Sequence, residues 1–493
     1  MIGHPEEGEP ADELTVEPVP VRTSDGRTRR RLRIAVALTL GTAIVVLGAL
    51  EGRRLLADLD ADGRPAATQP RLAIVEVGGG LATLNADGSA AVRYDAVGVV
   101  DLQFPAWSPD GSRIAAPGRA ADGTASLYVF DASGEPGPGE TPPPGALAGP
   151  SATTLYTSRT QPPFYVSWSP DGRRIGFLTA ERDGIALRVV PADGSTDATI
   201  VREGEPLYWD WIDADRLLVH IGADPAEAFV GEVALDGGTD APGEGTRSDA
   251  APGSFRPPVV GRDGRFRAYV VAAEPDAAGP DDDAAATIVV EGADHSRRQE
   301  IPATGFVALS FDPAGTILAY TASGPPGARP AGLPVGPLRL VDAESGRERT
   351  LADEPVIAFF WSPDGRTIAT LRLRVPGEPG VDVAAAGGST GAEGDPPPLA
   401  VGQPGVPFRL TFRDVASGEV RAERDVELSE LYAFQVVPYF DQYALSHRTW
   451  APDGTGIALP LVDAAGRLRV MVVPADGSDP RYVADGLIGF WRP

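Results

Sequence analysis

From residue 71 onward the hydrophobic positions fall in short runs separated by Asp, Gly and Pro. Phe306-Val307-Ala308-Leu309-Ser310-Phe311, Ile175-Gly176-Phe177-Leu178 and Ile317-Leu318-Ala319-Tyr320 are examples. Such runs are too short for helices, are rich in β-branched and aromatic residues, and end in turn formers, so they predict strands. One motif links them in pairs. Its best copies are Trp107-Ser108-Pro109-Asp110-Gly111, Trp168-Ser169-Pro170-Asp171-Gly172, Trp361-Ser362-Pro363-Asp364-Gly365 and Trp450-Ala451-Pro452-Asp453-Gly454, with Phe311-Asp312-Pro313-Ala314-Gly315 a clear variant. Trp211-Ile212-Asp213-Ala214-Asp215 and Val260-Gly261-Arg262-Asp263-Gly264 are weaker copies. Pro presets φ inside the turn, Asp bonds its own backbone, and Gly accepts the positive φ that closes a tight hairpin.

The fifth positions of successive motifs are separated by 61, 43, 49, 51, 50 and 89 residues, a period near 50 with two expansions. A period of that size indicates a solenoid, a propeller or an array. Beyond each hairpin a third strand ends in another turn, as in Leu127–Asp131, Leu338–Asp342 and Leu468–Val473, and a more polar fourth follows, as in Arg347–Leu351. Four antiparallel strands per repeat make one propeller blade. The chain's last run, Leu487–Pro493, reaches the Pro of another motif, while Leu72–Val77, Gly80–Leu84 and Ala91–Tyr94 supply strands with no inner partner. One blade assembled from both runs would leave no open edge. The expected fold is therefore an all-β propeller of eight four-stranded blades, or seven if the region around Val260 is not a full blade. Six of the seven Trp, namely Trp107, Trp168, Trp211, Trp361, Trp450 and Trp491, share one register and are expected to pack between blades.

These motifs resemble the WD-like repeats of TolB-type propellers, whose blades carry a W-S-P-D-G-x-x-I-A-F signature. The resemblance covers residues 71–493 and implies a propeller fold. It says less about activity, because such repeats serve both as partner-binding modules and as lids on hydrolases.

Upstream the pattern changes. Residues 1–26 are acidic and Pro-rich, without an apolar period, and read as a disordered cytoplasmic tail. Arg27, Arg29, Arg30, Arg31 and Arg33 precede an uncharged run from Ile34 to Leu50, which would rise about 25 Å as a helix. Residues 27–55 are expected to form a basic flank and a single transmembrane helix, and 56–70 a stalk. The Arg excess before the run places the N-terminus inside and the propeller outside the cytoplasm. A cleaved signal peptide is the rival reading, disfavoured by the long polar lead and the missing A-x-A-like site. All 43 basic residues are Arg, which with abundant Ala, Gly and Pro suggests a GC-rich bacterial source. The net charge of −26 argues against nucleic acid, and the absence of Cys removes disulfides and thiolate chemistry.

Candidate chemistry is sparse. The four His are His4, His220, His295 and His447, too few and too scattered for a His-rich metal site, so no metal or cofactor is expected. Asp281–Asp283 and Gly78–Gly80 read as a solvated loop and a hairpin turn. No G-x-S-x-G nucleophile elbow is expected, which argues against a hydrolase. One segment breaks the repeat: residues 431–448 hold Tyr432, Phe434, Tyr439, Phe440 and Tyr443 beside Asp441, Gln442, Ser446, His447 and Arg448. Aromatics beside polar handles suit a recognition surface, so Tyr439, Phe440, Asp441, Gln442, Tyr443, Ser446, His447 and Arg448 are candidate binding residues. The competing reading packs these aromatics onto the ring with His447 bonded to backbone. Long connections at 222–227, 274–285, 322–336 and 374–406 should share a face with this segment. The sequence thus predicts a membrane-tethered, extracytoplasmic scaffold binding a cell-envelope protein or peptide. A propeller-class enzyme on glycan or peptide, with His447 and Asp441 as acid/base pair, and a transmembrane ligand sensor remain as alternatives.

Overall fold

The computed structural model describes residues 70–94, 96, 98–133, 152–222, 229–235, 256–272, 285–294, 298–323, 333–374 and 404–493. These belong to one compact unit, Gln69–Pro493. The expected tail, membrane helix and nearly all of the stalk lie outside the described residues, as do His4, His295 and Asp281–Asp283. No described helix is long and apolar enough to cross a membrane.

The motif turns form as their chemistry dictates. In the first, Gly111 has φ +67° and its N–H donates to the Ser108 carbonyl at 2.8 Å. The Ser108 hydroxyl donates to Asp110 at 2.6 Å and accepts the Arg113 N–H at 2.9 Å, so one Ser and one Asp lock the reversal. Residues 169–174 and 362–367 repeat the network. Each turn delivers the chain from a short first strand into a longer second one, for example Pro163–Trp168 into Arg174–Glu181 or Ala358–Trp361 into Thr367–Leu373.

All strand pairs among the described residues are antiparallel, and they assemble in sequence order into sheets that are mostly four-stranded. Leu207–Trp211, Arg216–Ile221 and Phe229–Ala234 form a three-stranded sheet, its expected fourth strand falling outside the described residues. A seven-stranded sheet arises where Val420–Leu428 touches Gly456–Val462 through the single pair Leu428↔Leu461, which bridges two repeats. The sheet Val92–Tyr94, Leu81–Asn85, Arg71–Val75 is completed by Ile488–Trp491, with Leu72 opposite Trp491 and Val75 opposite Ile488. Both ends of the repeat array therefore share one sheet.

Apolar residues on adjacent sheets interdigitate: Ala106, Ala115 and Leu127 form one cluster with Trp168, Ile175 and Phe177. The motif Trp residues add a directed link. Their indole N–H donates to a carbonyl on the first strand of the preceding sheet: Trp107 to Phe490 at 3.2 Å, Trp168 to Ala106 at 2.9 Å, Trp361 to Ser310 at 3.2 Å and Trp450 to Phe360 at 2.9 Å. Trp211 and Trp491 are equally buried without such a bond. The short helix Phe440–Ser446 touches the first strands of four different sheets, 163–168, 207–211, 307–311 and 358–361. Four separate strands can ring one helix only if their edges surround a common centre. The array is a β-propeller with first strands innermost. Its motif turns lie on one face, and the second-to-third connections and inter-sheet links lie on the other, called here the loop face.

Candidate functional site: a helical plug at the centre of the loop face

The aromatic segment that breaks the repeat is helical throughout: a π-turn at Tyr432–Val436, a 3-10 turn at Val437–Tyr439 with Pro438 in its opening position, and an α-helix at Phe440–Ser446. Ser429 accepts the Tyr432 N–H at 3.2 Å, and the backbone turns extended at His447. Helices this short are marginal alone, so contacts with the ring must hold them. Phe440 packs edge-on against Phe359 and Phe360 at 4.9 and 5.8 Å between centroids. Tyr443 meets Phe104 at 5.3 Å and Tyr165 at 5.6 Å, and His447 meets Phe490 at 4.5 Å. The segment is a plug seated on the inner strands.

Polar groups on the plug are spent on those strands as well. The Tyr165 hydroxyl donates to the Gln442 carbonyl at 2.7 Å, and the Gln442 amide donates to the Trp209 carbonyl at 3.2 Å. Arg256 donates to the Pro438 carbonyl and lies 3.4 Å from the Asp441 carboxylate, both partners being buried. His447 Nε2 faces the Phe104 carbonyl at 3.1 Å, so it carries the proton, and Nδ1 accepts from the Ser446 hydroxyl at 2.6 Å. Burial pushes the His447 imidazole down to about 4, which keeps it neutral at pH 7. Burial likewise raises the Asp441 carboxyl, with Arg256 opposing.

Phe104 and Tyr165, which grip the plug, hold φ of +41° and +39°, in the left-handed region that ordinary side chains avoid. Backbone strain of this kind persists only where surrounding contacts over-determine it. Here it turns the Phe104 carbonyl toward His447. A further carboxylate, Asp210, sits on an inner strand and accepts the Trp211 and Val260 N–H groups at 2.8 Å each. Burial pushes it up to about 7.

Of the eight residues expected to bind, Phe440, Asp441, Gln442 and His447 are buried, Tyr443, Ser446 and Arg448 are half-buried, and Tyr439 is 46% exposed. Phe434, the same segment's other outward aromatic, is 65% exposed. Asp441 and His447 bond to different partners, so the acid/base pair does not meet. Ser446 and His447 do touch, but through Nδ1 with Nε2 held by a backbone carbonyl, which leaves no carboxylate to orient the ring as nucleophilic catalysis requires. A Gly-x-Ser-x-Gly run does occur at Gly387–Gly391, within the Pro/Gly-rich stretch 374–406 and outside the described residues. No group of three or more metal-ligating side chains occurs among the described residues. Arg256, Asp210, Phe104 and Tyr165 were not legible as site residues: Asp210 and Tyr165 sit in ordinary strand patterns, and Phe104 and Arg256 in the irregular chain beside strands.

No known family matches the chain, and no curated protein matches it. Among solved structures it is similar to TolB from Acinetobacter baumannii, at 14% identity over 78% of this chain and 67% of that one with a TM-score of 0.36. It is also similar to the dihydro-heme d1 dehydrogenase NirN, at 14% identity over 85% of this chain and 74% of that one with a TM-score of 0.46. At these identities the likeness concerns the fold alone.

Proposed function

We propose that this chain is an extracytoplasmic scaffold, tethered to the cell membrane by residues 27–55, whose eight-bladed propeller binds a cell-envelope protein or peptide on its loop face. One observation carries the reading: the plug fills the centre of that face with buried side chains packed on the inner strands and turns Phe434 and Tyr439 outward. Val77, Val100, Phe164 and Leu373, on strand ends or hairpins that open to the same face, are exposed too. Exposed aromatics on a rigid support are what partner recognition uses. Their buried neighbours make the plug part of the core, so deleting it would damage the ring. The informative variant is Phe434→Ser with Tyr439→Ser in the full-length membrane protein. Partners crosslinked to the wild type should be lost from the double variant while its unfolding midpoint is kept. An unchanged partner set would rule out this face. Membrane fractionation of a chain lacking residues 1–55 tests the tether, since release from the membrane is expected.

A further inference from the structure

We propose that a trough on the turn face, across the edge of the sheet formed by residues 163–204, binds a neutral, hydroxyl-rich ligand of the sugar class. This goes beyond partner binding, which concerns the opposite face. The trough encloses 530 Å³, within the range of small-molecule sites at roughly 300–1,000 Å³. Three neighbouring sheets line it. Arg113 comes from the preceding sheet, Asp171, Arg173, Arg174 and Asp193 from the turns of the sheet itself, and Asp215 from the following one.

The guanidinium groups are fixed yet only partly used. Arg113 donates through Nη2 to the Gly172 carbonyl at 2.5 Å and stacks 4.8 Å over Trp168. Arg174 donates through Nη1 to the Ala214 carbonyl at 2.5 Å and pairs with Asp215. Each is anchored in this way on the next motif turn, and its remaining guanidinium N–H groups have no partner among the described residues. The carboxylates are held similarly. Asp171 Oδ1 accepts the Ser169 hydroxyl at 2.7 Å and the Arg173 N–H at 3.1 Å, and Asp193 Oδ1 accepts the Ser195 N–H at 2.9 Å. Their second oxygens have no hydrogen-bond donor among the described residues, Arg173 Nε lying 3.8 Å from that of Asp171. The sequence also departs from its own repeat here. The sixth position after the first residue of the motif is Arg at 113 and 174, whereas the other copies carry Leu217, Phe266, Ile317, Thr367 and Gly456.

Three Arg and three Asp give the lining no net charge, so an ionised ligand attracted by one set is repelled by the other. Apolar lining is limited to Pro191 and Ala214, too little to anchor the side chains of a peptide. What remains is a set of unused donors beside unused acceptors, all held in place by the turns. A hydroxyl group both donates and accepts, so a ring bearing several of them serves both kinds of partner at once. The charged partners strengthen each such bond, and their fixed positions lower the ordering cost of binding.

Isothermal titration of the purified full chain with maltotriose, mannotriose and chitotriose tests the site, with trigalacturonate and the chitosan trimer as anionic and cationic counterparts. Saturable binding of at least one neutral trisaccharide is expected, tighter than that of either charged one. Arg113→Gln and Asp193→Asn should each weaken it roughly tenfold, the loss of one charged hydrogen-bonding group. Asp193 is exposed and Asn can still accept the Ser195 N–H, so that variant decides the matter even if Arg113→Gln fails to fold. The variant with Phe434→Ser and Tyr439→Ser should bind the sugar as the wild type does, which separates this site from the loop face. No binding of any neutral trisaccharide, tighter binding of a charged one, or an affinity unchanged in Asp193→Asn overturns the proposal.

Discussion

Asp441 is fully buried with one cation in reach, Arg256 at 3.4 Å, and its Oδ2 accepts no hydrogen bond among the described residues. Removing one partner from a buried pair leaves an uncompensated charge, at a cost of about 3–5 kcal/mol. Asp441→Ala should therefore lower urea-unfolding stability by that amount. Asp441→Asn, which leaves no cavity, should cost less. The buried titrating groups predict opposite pH slopes. Asp210 moves from an ordinary 3.8 to about 7 on folding, so its contribution is fully present below about 4 and is lost as pH rises through 7. His447 moves from 6.5 to about 4, so its contribution is fully present above 6.5 and is lost as pH falls through 4. Measured from pH 4.5 to 8, the stability advantage of wild type over Asp210→Asn should shrink with rising pH. Its advantage over His447→Gln should grow. Parallel slopes would contradict the assignment of both groups.

At the scale of elements, the motif works as two devices, a turn and a bridge between sheets. Asp364 accepts from the Ser362 hydroxyl at 2.7 Å and the Arg366 N–H at 3.0 Å, so Asp364→Ala should cost about 1–2 kcal/mol. Trp168→Phe loses the bond to Ala106 and weakens the stacking of the Arg113 guanidinium, which lies 4.8 Å over the indole, and should cost about 1–3 kcal/mol. Chemical denaturation of each variant checks both figures, and additive losses are expected for sites in separate sheets. These elements were legible in sequence because their Pro, Asp and Gly answer to local backbone geometry. The plug was not. Its inward stripe, Tyr432, Val436, Phe440, Tyr443 and His447, does follow helical spacing, yet Pro438 interrupts it and no capping pattern marks a single start. The aromatic content of 431–448 showed that the segment differed from its surroundings. Which aromatics face inward depends on Phe104, Tyr165 and Phe359, distant in sequence and brought together only by closure of the ring.

Closure was legible at the scale of the molecule because a strand pattern at each end of the array lacked its partner, and the pairing of Leu72–Val75 with Ile488–Trp491 supplies it. Leu72, Ile74 and Trp491 share a buried cluster with Val470, Val472 and Val483 of the preceding repeat, so the last strand ties three parts of the ring together. A ring joined this way has no free inner edge, and opening it exposes both a hydrogen-bonding ladder and apolar surface. Trp491→Ala, which empties a large fully buried site, should cost about 3–5 kcal/mol. Deleting residues 488–493 is predicted to do more, because it frees the whole edge of Leu72–Val75 for pairing with another chain. Size-exclusion chromatography should show association of the truncated protein. Its thermal unfolding should broaden or split, as repeats next to the gap melt before those opposite. A truncated chain that stays monomeric and unfolds in one sharp transition at the wild-type midpoint would show that contacts between neighbouring sheets, rather than the closing strand, hold the ring.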